Sequence, residues 1–135
     1  MEPQKLEDLI SQIENYLECW KQFNQYVTQA RAKKFGLEDE NQFLELKSVL
    51  TQELELILSS VECTSPTKEE VIALVSTTPS LRYLGEQNEA SLRNLENQWH
   101  KIYIGWQSIL GQVKVQQSQV VPKTSVWSSL FGRKT

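Results

Sequence analysis

Apolar residues recur three and four positions apart along most of the chain, and the repeat is longest near both ends. Leu6, Leu9, Ile13, Tyr16, Trp20, Phe23, Val27 and Ala30 form one ladder, and Leu92, Leu95, Trp99, Ile102, Trp106, Ile109 and Val113 form another. That spacing places each set on one stripe of an α-helix, a stripe that has to be buried against other helices. A shorter ladder, Phe43, Leu46, Leu50, Leu54, Ile57 and Val61, lies between them. The pattern predicts an all-α protein.

Punctuation residues divide the pattern. Pro3 suits a first helical turn, where its missing N–H costs nothing, and Glu7 and Asp8 favour the positive end of the helix dipole as Lys33 and Lys34 favour the other. Helix 1 is expected over about Pro3 to Phe35, with Gly36 as a left-handed cap. Glu38, Asp39 and Glu40 open helix 2, which is expected to stop at Cys63-Thr64-Ser65-Pro66, because a residue before proline avoids helical geometry. Thr67 and Glu70 have the spacing of a capping box. A short helix 3 follows with Val71, Ile72, Leu74 and Val75. Thr77-Thr78-Pro79-Ser80 breaks the chain, and helix 4 is expected to run unbroken from Ser80 to near Gln117, with Gly85, Gly105 and Gly111 inside it. Short loops favour antiparallel neighbours. The expected architecture is an antiparallel bundle of three long helices plus one short helix over residues 1–117. Helix 3 either extends the second leg or folds back. Residues 118–135 are expected to be a linker and a flexible C-terminal docking tail.

Composition narrows the function more than the fold. The 135 residues are 39% apolar and 23% charged, with a net charge of −3, as expected of one globular domain. Residues 36–77 carry nine acids against two bases, and residues 118–135 carry three bases and no acid. The bundle has no basic face to release counterions from phosphate, which argues against nucleic-acid binding. No stretch approaches the ~20 apolar residues of a membrane span, and the acidic start MEPQKLEDL does not read as a signal peptide. Cys19 and Cys63 are too few for a disulfide framework, so a cytoplasmic protein with reduced thiols is expected.

Catalytic and metal chemistry finds little support. His100 is the only histidine, so the paired Glu-x-x-His elements of a di-iron bundle are absent. Glu96 and His100 share a helix face but lack further ligands. The phosphotransfer pattern, which needs Lys and Gly three and four places after the histidine, meets Tyr103 and Ile104 instead. Cys19 lies between Glu18 and Trp20, which disfavours a thiolate, and reads as a structural thiol. Glu53 falls close to the buried stripe of helix 2, where it would pair with a cation across the bundle or snorkel from the flank. No Gly-rich phosphate loop or nucleophile elbow is present. The expectation is a non-enzymatic protein without cofactor or metal.

What remains is surface. Trp99, Tyr103 and Trp106, with Ile102, Ile109 and Leu110, widen the apolar face of helix 4, and Ile10 and Leu17 do the same for helix 1. Filling one core accounts for that width, and so does a groove or homodimer interface, since Trp and Tyr are common interface anchors. In the tail, Trp127, Leu130 and Phe131 fall on one side of a helical turn, followed by Arg133 and Lys134. Such a segment is an idle disordered end, packs on its own bundle, enters a groove on another protein, or makes weak peripheral contact with an anionic membrane. The expectation is an adaptor or scaffold that binds a protein partner through Trp99, Tyr103, Trp106, Trp127, Leu130 and Phe131. The size, the long helices and the tail resemble, in architecture alone and without a shared motif, the small helical secretion chaperones of flagellar and type III export systems. That resemblance implies shielding of an amphipathic helix of a client. The remaining alternatives are a small ligand-binding bundle with a pocket near Glu53, Glu96, His100 and Tyr103, and a self-assembling coiled coil.

Overall fold

The computed structural model describes residues 2–61 and 66–120, and these form five helices: α1 Pro3–Arg31, α2 Leu37–Leu58, α3 Lys68–Ser76, α4 Leu81–Gly85 and α5 Glu89–Val120. No strand occurs among the described residues. All eight positions of the first ladder are buried, and so are Ile10 and Leu17 beside it. In the last ladder every position is buried except Trp99, which is half-buried. The stripe spacing therefore marks the core.

Helix α1 is the hub, packing along α2 and α5 and meeting α4, while α3 touches both α2 and α5. Its partners on α2 run in opposite numerical order. Tyr26 meets Gln42, Phe23 meets Phe43, Tyr16 meets Leu50 and Gln12 meets Glu53. Its partners on α5 do likewise: Arg31 meets Glu89 and Glu96, Trp20 meets Trp99, and Tyr16 meets Trp106. A chain of aromatic rings ties these layers together. Trp106 of α5 stands edge-on to Tyr16 at 5.1 Å, Tyr16 lies 6.1 Å from Trp20, Trp20 lies 5.4 Å from Phe23, and Phe23 reaches Phe43 of α2 at 5.5 Å. Edge-to-face contacts at such distances add to what ring burial alone contributes.

The helix ends depart from the sequence pattern in three places. First, α1 stops at Arg31 rather than Phe35, and its left-handed residue is Lys33, at φ 58°, not Gly36. Lys33 N donates to Ala30 O and Lys34 N to Gln29 O, the paired bonds of a Schellman motif. Gly36 is extended instead and caps α2, its N–H donating to Asp39 Oδ2 at 2.9 Å. Second, α2 ends at Leu58, and Cys63 lies outside the described residues. Third, the long last helix is split. Ser80 Oγ caps α4 by accepting from Tyr83 N, Glu40 of α2 accepts from the N–H groups of Leu81 and Arg82, and Gly85 ends the element. Asn88 Oδ1 then accepts from Ser91 N at 2.7 Å and starts α5. A Cβ on Gly85 would lie 3.0 Å from Ala30 O, a close approach of α4 to the backbone at the end of α1. The reciprocal box of Thr67 and Glu70 opens α3 as its spacing predicts.

Candidate interaction surface

The outer side of the α1/α5 seam carries a stacked pair of aromatic rings, Trp99 and Tyr103. Trp99 projects from α5 towards α1, and its Nε1–H donates to Trp20 O at 2.8 Å, which fixes the plane of the indole. Tyr103, one turn along, stacks on it with ring centroids 4.9 Å apart and an interplanar angle of 14°. His100 flanks the pair at 6.4 Å. Both stacked rings are half-buried. The i, i+4 spacing of Trp99 and Tyr103 brings the rings into register on one helix face. Together they present a rigid apolar plane at small entropic cost.

Charge frames the plane. Arg31 forms a two-pronged contact with Glu96, both N–O distances being 2.9 Å, and a longer contact to Glu89. Glu96 raises the pKa of Arg31 further above its ordinary value. On the other flank Lys21 pairs with Glu18 at 3.1 Å.

The sequence-derived site residues divide into three groups. Trp99 and Tyr103 share the surface just described. Trp106 does not: it is fully buried between α1 and α5, and its Nε1 has no hydrogen-bond partner. Burying roughly 150–250 Å² of indole at about 25 cal/mol per Å² gives about 4–6 kcal/mol. An unpaired buried N–H costs about 1–3 kcal/mol, so packing prevails and Trp106 is a core residue in this fold. Trp127, Leu130 and Phe131 lie outside the described residues.

The residues considered for a ligand pocket do not converge. Glu53 accepts from Gln12 Nε2 at 3.2 Å on the α1/α2 face, so its partner is an amide and not a cation. Glu96 is engaged by Arg31, not by His100, and His100 is exposed. Cys19 is half-buried, and burial, then the charges of Glu53 and Glu18, push its thiol pKa up. A thiol held protonated is a poor nucleophile. Among the described residues no group of three or more His, Cys, Asp or Glu side chains is placed to hold a metal ion. No helix among them is long and apolar enough to cross a membrane.

Sequence reasoning passed over Glu40 and Asn88, which set where α4 and α5 begin. The Asn88-x-x-Ser91 spacing is a cap signal that the unbroken-helix expectation overrode. Glu40 acts across 41 residues of sequence and leaves no local sign. No family model, no curated protein and no solved structure matches this chain.

Proposed function

We propose that this chain is a non-enzymatic, cytoplasmic interaction module that binds a protein partner through the Trp99–Tyr103 face of α5 and the Trp127-x-x-Leu130-Phe131 segment. In this reading α1, α2 and α5 are the three long antiparallel legs of a bundle, and α3 and α4 are short pieces that close its sides. The observation that carries the proposal is the stacked, half-buried Trp99–Tyr103 pair. One edge of the pair is anchored to Trp20 O. Aromatic anchors already held in position lose little conformational entropy on binding, which is the property shared by interface hot spots.

The test is affinity capture from host lysate with four baits: the full chain, a chain ending at Gln117, Trp99→Ala and Tyr103→Ala. A specific protein held by the full chain and lost, or weakened about tenfold, in Tyr103→Ala or Trp99→Ala supports the face. Loss only on truncation assigns recognition to the segment after Gln117. A protein held equally by all four baits overturns the proposed surface, and specific capture by none of them overturns the partner reading.

A further inference from the structure

Among the described residues, the exposed large aliphatic side chains all belong to two helices. Leu37, Leu44, Val49 and Leu56 lie on α2, Ile104 and Val115 lie on α5, and each is between 39% and 78% exposed. Scattered apolar side chains are ordinary on a surface, but these are ordered. The outward stripe of α2 reads Leu37, Asn41, Leu44, Ser48, Gln52 and Glu55, in steps of 4, 3, 4, 4 and 3 residues. That of α5 reads Arg93, Asn97, His100, Ile104, Ser108 and Gly111 in the same steps, with Val115 four residues on. Every one of these positions is exposed, and such steps keep a set on one side of a helix. Glu38, Glu45, Val49 and Leu56, also exposed, flank the α2 stripe.

The two faces carry opposite charge. Helix α2 holds six acids and one base. That base, Lys47, is half-buried, with Nζ 5.8 Å from the centroid of the Phe43 ring. Among the acids, Asp39 binds Gly36 N–H, Glu40 holds the start of α4 and Glu53 accepts from Gln12. Glu38, Glu45 and Glu55 remain on the outside. Helix α5 holds three bases and two acids, and both acids, Glu89 and Glu96, pair with Arg31. Arg93 and Lys101 remain on its outer side. Glu55 pairs with Lys68 and Lys101 with Glu70, whereas Glu45 and Arg93 make no ion pair among the described residues.

We propose that a second copy of this chain covers these faces, the acidic outer face of α2 in one copy packing along the basic outer face of α5 in the other. Short side chains stand between the apolar ones on both stripes. Ser48, Ser108 and Gly111 leave room for a facing helix, and the space beside Gly111 is open. The shared steps keep two such helices in contact over about 27 Å, the length of 18 residues at 1.5 Å each. Charges beside a helical seam select which faces pair. Pairing α2 with α2 sets Glu38, Glu45 and Glu55 against their own copies, and pairing α5 with α5 does the same to Arg93 and Lys101. A foreign basic helix matches α2 alone, whereas a second copy accounts for both faces. An anionic membrane attracts only α5, where Ile104 and Val115 offer little apolar surface for an anchor. The contact spares Trp99 and Tyr103, so it does not rest on the partner reading.

The experiment is sedimentation equilibrium of the full chain over a concentration series at low and high salt. Under the proposal, the average mass rises with concentration above the 15.6 kDa of one chain, and high salt weakens the association. Glu38→Lys combined with Glu45→Lys, and Arg93→Glu combined with Asn97→Glu, each raise the Kd about tenfold or more. An equimolar mixture of the two variants restores association, because the new lysines of one meet the new glutamates of the other. All four positions are exposed, and circular dichroism reports that the variants are folded. Glu45→Lys and Arg93→Glu alone replace a double variant that does not fold. The mass of one chain at every concentration overturns the proposal. Association that neither variant weakens overturns it in favour of another face, and variants that fail to complement each other overturn the pairing of α2 with α5. A monomer that binds phosphatidylserine vesicles and loses them in the Arg93 variant overturns it in favour of a lipid surface.

Discussion

Lys33 holds a backbone conformation that glycine would hold without strain. Its φ of 58° closes the Schellman motif at the end of α1, and an L-residue there loses about 1 kcal/mol to steric conflict between its Cβ and the backbone. Lys33→Gly is therefore expected to stabilise the fold by about 0.5–1 kcal/mol, seen as a higher urea midpoint. A lower midpoint would mean that the Lys33 side chain contributes more than the strain costs. The tryptophans separate more sharply. Trp106→Ala empties a fully buried site and is expected to cost about 3–5 kcal/mol. Tyr103→Ala removes a half-exposed stacked ring and is expected to cost about 0.5–1.5 kcal/mol in the same denaturation experiment. Sequence spacing treated Trp99, Tyr103 and Trp106 alike because they lie within one broad stripe. Which of them faces the centre depends on where α1 sits, and no local pattern encodes that. Glu70 adds a pH dependence. Its bond from Thr67 N–H, followed by Lys101, holds its carboxyl below the ordinary range. The stability it contributes is complete above the unfolded-state pKa, about 4.3, and is lost as pH falls through the lower folded-state value. Glu70→Gln is expected to flatten the acid side of the stability profile. An unchanged slope between pH 5 and 3 would assign acid sensitivity to other carboxylates.

At the scale of elements, side chains from other helices set boundaries that local sequence leaves open. The Thr67 box is visible in the sequence because both partners lie within four residues of each other. The division between α4 and α5 shows in the sequence only as the Asn88-x-x-Ser91 cap spacing. Glu40 holds the start of α4 from the side of α2, taking the N–H groups of Leu81 and Arg82 at 2.7 and 3.1 Å, and the break itself falls after Gly85, where Asn88 caps α5. Glu40→Ala leaves those donors without their charged acceptor and is expected to cost about 1.5–3 kcal/mol. Amide exchange at Leu81 and Arg82 is expected to quicken ahead of exchange in α1. Protection that remained uniform would show that α4 is held by burial of Leu81 and Leu84 alone. Gly36 shows the converse error. Glycine after a lysine pair reads as a helix stop, yet here it starts the next helix, because Lys33 has already made the turn.

For the molecule as a whole, the three ladders were enough to predict an all-helical protein, and the described residues bury them almost completely. Their arrangement around α1 has a consequence for how the chain is made. Helix α1 emerges from the ribosome before α2 and α5 and finds α2 soon after, but its other side waits for α5, which begins 58 residues beyond Arg31 (89 minus 31). At about 5–20 residues per second that delay is roughly 3–12 s. For that interval Tyr16 and Trp20 have no α5 to cover them, and a nascent chain halted before residue 89 carries an uncovered hydrophobic face. Such stalled chains are natural clients for holdase chaperones, and the chain escapes that need only once α5 has closed onto α1.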